Sequence, residues 1–342
     1  MKVLLAGFGA VGQIRHSILQ NINDRNLEII GISDQEFDKV YQQNTRAEVF
    51  RDFREMIENL SANCLFIALP NHLAVEATLL GLKKNMHVFC EKPPARNLKE
   101  LDIILKNSSL RKKQILMYGF NHRFHPSVKM AKQIIMSGEL GEIVNFKAEY
   151  GKSAIIKYEN SEWRANHKFS GGGILLDQGI HMLDLLRFFG GEFEPLASLV
   201  SNSFWNYDVE DNAYALLVNS NKIPALIHSS ATLWKHSFRI EIGMTLGSIL
   251  LSGILSSTKS YGSETITIYK KKTSSNRIGE EITYKFEDDI SWQEEITNFF
   301  AAIDQVEHTN LGNIQEAQKT LELVEKIYFK DDNWASFLAK QH

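Results

Sequence analysis

Three ionisable side chains follow one another at helical spacing on an otherwise apolar segment. Asp177, His181 and Asp184 lie in the predicted helix Ile174–Phe189, four and then three residues apart. Residues at this spacing share a helix face, so they predict one polar stripe, which must find water or partners because unpaired buried charge is costly. Imidazole has an ordinary pKa of about 6.5, which makes His181 a candidate general base and Asp177 a candidate partner for a substrate hydroxyl. The alternative is a core histidine with satisfied hydrogen bonds, and Asp184 either holds the imidazole or is structural.

A glycine fingerprint opens the chain. The segment Gly7-Phe8-Gly9-Ala10-Val11-Gly12 follows the predicted strand Lys2–Ala6 and runs into the predicted helix Val11–Gln20. In dinucleotide-binding folds the first glycine permits a tight turn, the second lets the pyrophosphate approach the backbone, and the third lets the helix pack closely. The helix N-terminus offers N–H groups and a positive dipole end to the phosphates. Taken alone, the hexapeptide also fits an ordinary glycine turn.

Asp34 distinguishes between these readings. It follows the predicted strand Leu27–Ser33 and lies 22 residues after Gly12. A carboxylate there can accept both ribose hydroxyls of the adenosine half and would repel a 2′-phosphate. We therefore predict NAD as the cofactor, with NADP less favoured, although the neighbouring Ser33 softens that selectivity. The alternative is a surface aspartate at a strand end.

Lys92 lies just after the predicted strand His87–Cys90, where parallel sheets place their ligands. Its ammonium group could bond the reacting oxygen of an alcohol or relay its proton. Oxidation of a secondary alcohol needs such a group, together with a base and a well-placed hydride acceptor. A surface lysine is the alternative, because lysine is usually exposed.

The elements that must position these residues change character near residue 120. Before it, short apolar strands alternate with helical patterns, which predicts a mostly parallel sheet covered on both faces. After it, strand patterns follow one another and predict a largely antiparallel sheet. These patterns divide the chain into an α/β Rossmann domain over residues 1–120 and an α+β domain over residues 121–342. The strands predicted in the second part are Ile143–Tyr150, Ala213–Val218, Ile223–Leu233, Phe238–Met244, Ser248–Leu251, Thr265–Tyr269 and Ile282–Phe286.

Composition excludes several classes of protein. The 342 residues are 44% hydrophobic and 23% charged, which is ordinary for a globular chain and unlike a disordered one. A net charge of −3 gives no support to a nucleic-acid partner, and Lys270–Lys272 with the polar residues after it predicts a solvated hairpin tip. Apolar runs such as Cys64–Leu69 are far shorter than the ~18–20 residues of a membrane span. Two cysteines suit a reducing compartment, hence a cytoplasmic location. No His/Cys cluster has metal-ligand spacing, so no metal is predicted.

Further motifs occur in a fixed order along the chain, namely Ala68-Leu69-Pro70-Asn71, Glu91-Lys92-Pro93, Trp163-Arg164 and the run Gly171–His181. With the glycine fingerprint, the chain resembles the glucose–fructose oxidoreductase / inositol dehydrogenase / MocA (Gfo/Idh/MocA) family from residue 2 to about residue 330. The resemblance implies a Rossmann domain and then an α+β domain with a large open mixed sheet. It also implies a C-terminal helix, about 314–330, that packs back towards the N-terminal domain, and a homodimer or homotetramer formed through the open sheet.

The resemblance further implies an NAD(P)-dependent dehydrogenase or reductase. Such an enzyme transfers a hydride between nicotinamide and a secondary alcohol or ketone of a sugar, cyclitol or sugar nucleotide. One alternative is a dinucleotide-binding sensor or scaffold without catalysis, against which the retained Lys92, Asp177 and His181 argue. Another is a relative that uses bound NAD transiently to hydrolyse glycosidic bonds.

The resemblance assigns roles to individual residues. The predicted catalytic residues are Lys92, His181 and Asp177. The predicted cofactor contacts are Gly7, Phe8, Gly9, Ala10, Val11, Gly12, Asp34, Leu69, Pro70, Asn71, Glu91, Lys92, Trp163 and Arg164. The predicted substrate contacts are Lys92, Asn121, His122, Asp177, His181, Asp184 and His236.

Some of these assignments keep an alternative. Asn121 and His122 fit a structural hinge equally well, and Glu91 fits a buttress for its turn. The Lys92–Pro93 bond is expected to be cis, as in relatives. Many relatives have a histidine where this chain has Ala74, so His72 is given no role.

Overall fold

The computed structural model describes residues 1–340 except 23–24, 37, 39, 41–45, 108–113, 155–161, 257–259, 272–278 and 306–311. The chain divides into two compact units. Unit 1 comprises Met1–Phe120, Lys168–Gly171 and Trp292–Leu321, and unit 2 comprises the remaining described residues. The predicted boundary at residue 120 and the predicted packing of the C-terminal helix remain predictions. Most of the predicted hairpin tip lies outside the described residues.

Unit 1 contains a six-stranded sheet in the order β3-β2-β1-β4-β5-β6, with every neighbouring pair parallel. This order is that of a doubly wound dinucleotide-binding sheet, in which the chain reverses direction across the sheet between β1 and β4. The strands are β1 (Lys2–Ala6), β2 (Glu28–Ser33), β3 (Glu48–Phe50), β4 (Cys64–Ile67), β5 (His87–Cys90) and β6 (Leu116–Tyr118).

The central strands of unit 1 form its core. All four residues of β4 are buried, as helices on both faces of a parallel sheet require. The Phe66 ring stacks on Phe89 with centroids 5.3 Å apart, and Phe299 packs edge-on against both rings. The described residues 292–321 therefore complete this core from the far end of the sequence.

Unit 2 contains an eight-stranded mixed sheet in the order β14-β13-β12-β11-β7-β10-β9-β8. Only the pair β7–β10 is parallel within this sheet, and the other neighbours are antiparallel. The strands are β7 (Ile143–Ser153), β8 (Phe193–Ser201), β9 (Asn212–Asn219), β10 (Pro224–Leu233), β11 (Ser237–Met244), β12 (Gly247–Ser252), β13 (Glu264–Lys270) and β14 (Glu280–Phe286).

Ten α-helices are assigned among the described residues. They are α1 (Ala10–Asn21), α2 (Phe53–Asn59), α3 (Asn71–Lys83), α4 (Leu98–Asn107), α5 (Pro126–Ser137), α6 (His167–Ser170), α7 (Ile180–Gly190), α8 (Ser291–Ile303), α9 (Ile314–Lys330) and α10 (Asp332–Ala339). Short 3₁₀ turns occupy Asn121–Phe124 and Glu162–Ala165, and a π-helical turn occupies Leu175–Gly179.

The sheet of unit 2 has one covered and one open face. Helices α5 and α7 pack on the covered face, towards which Phe146, Ala148 and Tyr150 of β7 point. Exposed apolar side chains lie on the open face of the neighbouring strands, where register aligns Leu199 with Tyr214. A face that leaves such side chains in water is a candidate interaction surface.

The predicted fold class is confirmed, while three details differ. The short strand β3 and the strand β8 were not predicted, and a register shift between Pro195 and Ala197 breaks the alternation of β8. The predicted single helix Ile174–Phe189 is wrong in its first part, because Leu175–Gly179 is π-helical and α7 begins only at Ile180. The wider π turn changes the angle between successive side chains.

Candidate active site

The glycine fingerprint forms the turn between β1 and α1. Gly7 has a φ of +92°, and a Cβ placed there would lie 2.3 Å from the carbonyl oxygen of Ala68. A Cβ on Gly12 would lie 2.1 Å from the carbonyl oxygen of Gly7. A Cβ on Gly9 would meet no protein atom within 4 Å. The fold therefore requires Gly7 and Gly12, whereas Gly9 leaves open space at the start of α1, where a pyrophosphate could approach.

Asp34 is fixed beside this turn. Its Oδ2 accepts a hydrogen bond from the backbone N–H of Phe8 at 2.6 Å, and its Oδ1 accepts one from Glu36 at 2.8 Å. These bonds orient the carboxylate, and its remaining lone pairs can accept ribose hydroxyls. The open cradle at Gly9 and the acid next to it fit a dinucleotide whose adenosine ribose is not phosphorylated.

The ends of β4 and β5 carry the next predicted cofactor residues. Leu69, Pro70 and Asn71 are half-buried, and the Asn71 amide donates a hydrogen bond to the Ser170 carbonyl at 2.7 Å. Lys92 is half-buried after β5, and the Lys92–Pro93 bond is cis. Unit 1 thus places these residues at the carboxyl ends of neighbouring parallel strands.

Glu91 buttresses its turn through a buried ion-pair network. Its carboxylate accepts a hydrogen bond from Nε of Arg15 at 2.7 Å, and Arg15 also pairs with Glu295 at 2.5 Å. Arg15 is 1% exposed, and its guanidinium lies over the rings of Phe89 and Trp292, 4.5 Å from each centroid. The two carboxylates raise the pKa of Arg15 although burial opposes them. The network favours the buttress role that the sequence left open for Glu91.

His72 packs within unit 1. Its ring lies against Phe169 with centroids 4.9 Å apart, and burial, together with the Arg96 charge, lowers its pKa. Ala74, at the position where many relatives have histidine, is buried.

Asp177 and His181 are carried by unit 2, on the π turn and the first turn of α7 respectively. Asp177 Oδ2 accepts hydrogen bonds from Lys152 Nζ at 2.9 Å and from the Gln178 amide at 3.3 Å. The His181 ring is 4% exposed and stacks on the His122 ring, with centroids 3.7 Å apart and planes 15° apart. A carboxylate and an imidazole one turn apart can bind a hydroxyl and take its proton.

Asp184 does not extend this pair. Both its carboxylate oxygens accept hydrogen bonds from Arg123 at 2.6 Å, and both side chains are at most 2% exposed. The expected polar stripe of Asp177, His181 and Asp184 is thus divided. Asp177 lies in a half-buried ion pair with Lys152, and Asp184 lies in a buried ion pair with Arg123. The geometry favours the structural role for Asp184.

A buried glutamate holds the loop that leads into the π turn. Glu210 accepts hydrogen bonds from the backbone N–H groups of Gly173 at 2.6 Å and Leu175 at 2.9 Å, and from the Tyr328 hydroxyl at 2.6 Å. A Cβ on Gly173 would lie 2.0 Å from the Glu210 carbonyl oxygen, so the glycine run packs tightly against protein. This clamp fixes the start of the segment that bears Asp177.

Three further polar residues contact predicted site residues or their neighbours although sequence reasoning did not select them. Lys152 pairs with Asp177, Tyr150 bonds His122, and Tyr261 packs edge-on against the Tyr150 ring with centroids 5.3 Å apart. Burial, then the Tyr261 and Asp177 charges, raise the pKa of Tyr150 well above its ordinary value. The sequence could have indicated Lys152, because it is two residues from the inward-facing Tyr150 on β7 and therefore lies on the same face of that strand.

The remaining predicted site residues also lie in unit 2. Asn121 and His122 are 5% and 7% exposed and bond within the unit, which favours a supporting role. His236 Nδ1 accepts a hydrogen bond from the Ser153 N–H at 3.2 Å, and burial, with the Lys152 charge, lowers its pKa. Trp163 and Arg164 lie in the 3₁₀ turn Glu162–Ala165. The Arg164 guanidinium lies over the Trp163 ring, 4.3 Å from its centroid.

Family models match both parts of the chain. Residues 1–120 match the model for the oxidoreductase family with an NAD-binding Rossmann fold, and residues 128–250 match the Gfo/Idh/MocA C-terminal domain. These matches together cover more than half of the chain. The chain belongs to the Gfo/Idh/MocA family. The predicted family and the predicted NAD-binding Rossmann domain are thereby confirmed.

Named relatives share part of their length with this chain. Glucose-6-phosphate 3-dehydrogenase of Bacillus subtilis is 31% identical over 196 residues, which are 55% of this chain and 53% of the relative. Myo-inositol 2-dehydrogenase of Thermotoga maritima is 25% identical over 269 residues, 75% of this chain and 77% of the relative. The match to levoglucosan dehydrogenase of Pseudarthrobacter phenanthrenivorans spans only 38% of that protein. The chain thus spans about half, or less, of the length of each of the two relatives that it matches at 31% identity, glucose-6-phosphate 3-dehydrogenase and levoglucosan dehydrogenase.

The same fold occurs in solved structures. A levoglucosan dehydrogenase in complex with NADH and levoglucosan superposes with a TM-score of 0.82 over 97% of both chains, at 20% identity. At that identity the likeness concerns the fold alone.

Two features are absent from the described residues. No group of three or more His, Cys, Asp or Glu side chains in the described ranges is arranged to hold a metal ion. In the same ranges, no helix has both the length and the apolar character that crossing a bilayer requires.

Proposed function

We propose that this protein is an NAD-dependent dehydrogenase or reductase that acts on a secondary alcohol, or the corresponding ketone, of a sugar, cyclitol or sugar nucleotide. The observation that carries the proposal is the Asp177 carboxylate, held by Lys152, with the His181 imidazole four residues later, in a chain with an NAD-binding Rossmann domain. The names of the relatives, which describe oxidation at sugar and inositol hydroxyls, support the substrate class.

In the proposed reaction each polar residue has a distinct task. Bound NAD supplies a hydride acceptor at its nicotinamide ring. As the carbinol C–H and O–H bonds break and the C=O bond forms, His181 takes the hydroxyl proton. Asp177, held by Lys152, accepts a hydrogen bond from a second substrate hydroxyl and so orients the substrate ring. Lys92 holds the reacting oxygen or relays its proton, and its position after β5 supports that role.

The cofactor preference rests on the fixed carboxylate of Asp34. Because both its oxygens are held by the backbone N–H groups of Phe8 and Glu36, it cannot turn away from a 2′-phosphate without losing these bonds. We expect NADH to bind more tightly than NADPH, and Asp34→Asn to narrow the gap by about ten-fold, since the amide keeps an acceptor but loses the charge. Fluorescence titration with both cofactors measures the ratio.

Activity is tested by a substrate screen with the purified protein and NAD or NADH. The panel includes myo-inositol, D-glucose, D-glucose 6-phosphate, levoglucosan, methyl glucosides and nucleotide sugars, and absorbance of the reduced nicotinamide reports turnover. His181→Ala and Lys92→Ala should lower kcat/KM by about 10²–10⁴-fold. Lys83→Ala, which changes an exposed lysine of α3, is the matched control and should retain activity.

Each alternative predicts a different result in this screen. Failure to bind either cofactor would refute the proposal. Tight NADH binding with no turnover on the panel would favour a sensor or scaffold. Release of an aglycone from a glucoside without net change in NADH would favour transient redox catalysis of glycoside hydrolysis. Unchanged turnover in His181→Ala or Lys92→Ala would overturn the role of that residue.

The assembly and location of the protein are part of the same proposal. Leu199, Tyr214, Leu216 and Leu226 lie on the open sheet face, in register and 41–61% exposed, and support a homodimer or homotetramer formed through that face. Both cysteines are free and buried, which suits the reducing cytoplasm.

A further inference from the structure

One buried glutamate of unit 2, Glu210, satisfies three successive backbone N–H groups at the start of the segment that bears Asp177. Its Oε2 accepts from Gly173 at 2.6 Å, its backbone carbonyl from Ile174 at 3.1 Å, and its Oε1 from Leu175 at 2.9 Å. N–H groups at the start of a helical stretch lack partners within it, and a negative charge there is favourable. Ile174, at the N-cap of the π turn, makes no side-chain cap bond. Glu210 therefore supplies the cap from a distant part of the chain.

The backbone of Asp177 is linked directly to these capped residues. The Asp177 N–H donates to the Gly173 carbonyl at 2.8 Å, and the N–H of Gly173 is the one that donates to Glu210 Oε2. At the other end of the π turn, a Cβ on Gly179 would lie 2.3 Å from Ser229 Oγ, so the turn packs closely against β10. The backbone that carries the Asp177 side chain is therefore held on both sides.

Glu210 is itself fixed by three other elements of unit 2. The next residue, Asp211, donates its N–H to the Ser201 carbonyl at 2.9 Å and accepts from the Ala231 N–H at 2.7 Å. The Glu210 carboxylate also accepts the hydroxyl hydrogen of Tyr328 at 2.6 Å. Through these bonds β8, β10 and the C-terminal helix α9 together determine where the carboxylate lies.

This way of capping the turn is costly. Glu210 is 2% exposed, and all the hydrogen-bond donors to its carboxylate are neutral groups. Burial raises the pKa of Glu210 although these donors oppose the rise. A serine or aspartate at the N-cap would satisfy such N–H groups without a buried charge. π turns occur frequently at functional sites, and the glutamate is better explained by the position that it imposes on the turn than by added stability.

We propose that Glu210 is a positioning residue that holds the Asp177 carboxylate in place for a substrate hydroxyl, and that Tyr328 assists it. The inference rests on the proposed function for the contact between Asp177 and the substrate. It adds to that function a residue that acts only through Asp177 and that no sequence motif indicated.

The structural part of the proposal is tested without substrate. Glu210→Gln keeps the size of the side chain but replaces one carboxylate oxygen with an amide NH₂ group, which cannot accept from a backbone N–H. Loss of one hydrogen bond to a charged group should accelerate amide hydrogen exchange in the peptide covering residues 172–182 by about 10- to 150-fold. Unchanged exchange in that peptide would overturn the proposal.

Asp331→Asn is the matched control. This buried carboxylate of unit 2 also accepts three hydrogen bonds, from the backbone N–H groups of Val200, Asn333 and Trp334, and it caps α10. Both variants should lose stability in urea unfolding, and only Glu210→Gln should accelerate exchange in the peptide 172–182. Equal acceleration in both variants would mean a general loosening of unit 2 and would overturn the proposal.

The functional part is tested by a double-mutant cycle with Asp177→Ala on a substrate of the panel that the unmodified protein turns over. Because Asp177 is proposed to bond a hydroxyl that does not react, its loss should appear in KM rather than in kcat. We expect Asp177→Ala to raise KM about 10- to 150-fold, and Glu210→Gln to raise it by no more than that. In the Asp177→Ala background, Glu210→Gln should add less than about two-fold, because it acts through the missing carboxylate.

The kinetic outcomes separate positioning from a structural role. Asp331→Asn should leave KM and kcat of the folded protein unchanged. Multiplying effects of Glu210→Gln and Asp177→Ala on KM would overturn the proposal, and so would an unchanged KM in Glu210→Gln. Tyr328→Phe leaves the backbone bonds of Glu210 in place and should raise KM about 2- to 10-fold.

Two further results are also decisive. If Glu210→Gln does not fold, the same exchange measurement and the same cycle with Tyr328→Phe decide the proposal. If the unmodified protein turns over no compound of the panel, the proposed function fails, whereas exchange in the peptide 172–182 still decides whether Glu210 holds the turn.

Discussion

Gly9→Ala separates what the fold requires of the glycine fingerprint from what a cofactor requires. Gly9 has φ −66° and ψ −168°, extended backbone that alanine also adopts, and the added Cβ would meet no protein atom within 4 Å. Reduced freedom of the unfolded chain should stabilise the variant by about 0.4–1 kcal/mol. Because Gly9 is the N-cap of α1 and alanine caps poorly, a loss of about 0.5–1 kcal/mol opposes this gain. The melting temperature should therefore stay within about 4 °C.

NADH binding should respond much more strongly to the same change. The new methyl group would occupy the space where a pyrophosphate approaches the N–H groups of α1. Loss of one hydrogen bond to a charged phosphate is worth about 1.5–3 kcal/mol, so Kd should rise about 10- to 150-fold. Fluorescence titration with NADH and thermal unfolding of the same sample measure the two effects independently.

Gly12→Ala is the contrasting control within the same fingerprint. Its Cβ would lie 2.1 Å from the Gly7 carbonyl oxygen, so the backbone must shift and stability should fall by at least about 1–3 kcal/mol. If Gly9→Ala bound NADH as the unmodified protein does, the pyrophosphate would not lie over Gly9. If it unfolded as readily as Gly12→Ala, glycine there would serve packing and the reasoning would be wrong.

Three further predictions concern stability and assembly. The Tyr118 hydroxyl is fully buried without a hydrogen-bond partner among the described residues, so Tyr118→Phe should stabilise by up to about 1 kcal/mol. Burial also raises the Tyr118 pKa, so above about pH 10 this tyrosine ionises first in the unfolded state. The free energy of unfolding therefore falls there by about 1.4 kcal/mol per pH unit. Urea unfolding between pH 7 and 11 should show a shallower fall for Tyr118→Phe. Glu295→Ala breaks the buried pair with Arg15 and should lower the free energy of unfolding, measured with urea, by about 3–5 kcal/mol. Glu76→Ala breaks an exposed pair with Arg54 and should lower it by less than about 1 kcal/mol. Equal losses would refute the argument from burial. Leu216→Asp on the open sheet face should convert the proposed oligomer to monomer in light scattering without lowering the melting temperature of the monomer, and an unchanged mass would refute assembly through this face.

Periodicity predicted most of the fold, because strands buried on both faces and amphipathic helices leave clear patterns. The predicted strands Lys2–Ala6 and His87–Cys90 have the observed bounds. The strand Phe193–Ser201 was not predicted, because a register shift interrupts its alternation of buried and exposed residues and apolar side chains face solvent on its open side. Such a strand is stabilised by its pairing with β9, which is a tertiary contact that no local pattern encodes.

The candidate site was predictable where one element or motif carries it and unpredictable where distant elements meet. The glycine turn and the position of Asp34 beside it follow from local spacing. The partner of Asp184 does not, because Arg123 lies 61 residues away in sequence and removes that carboxylate from the expected stripe. The π turn at Leu175–Gly179 had no signal in the hydrophobic pattern either.

The same distinction bears on substrate specificity. The base proposed at His181 and the carboxylate proposed at Asp177 could serve any secondary alcohol, so they cannot by themselves select one sugar. Lys152 lies on β7, and tertiary structure brings its Nζ to 2.9 Å from the Asp177 carboxylate. Because a site built to bond a hydroxyl rejects analogues that lack it far more strongly than an apolar pocket does, the choice of substrate should depend on such residues. Changes at Lys152 should therefore alter which hydroxyls are required, while changes at His181 should slow every substrate alike.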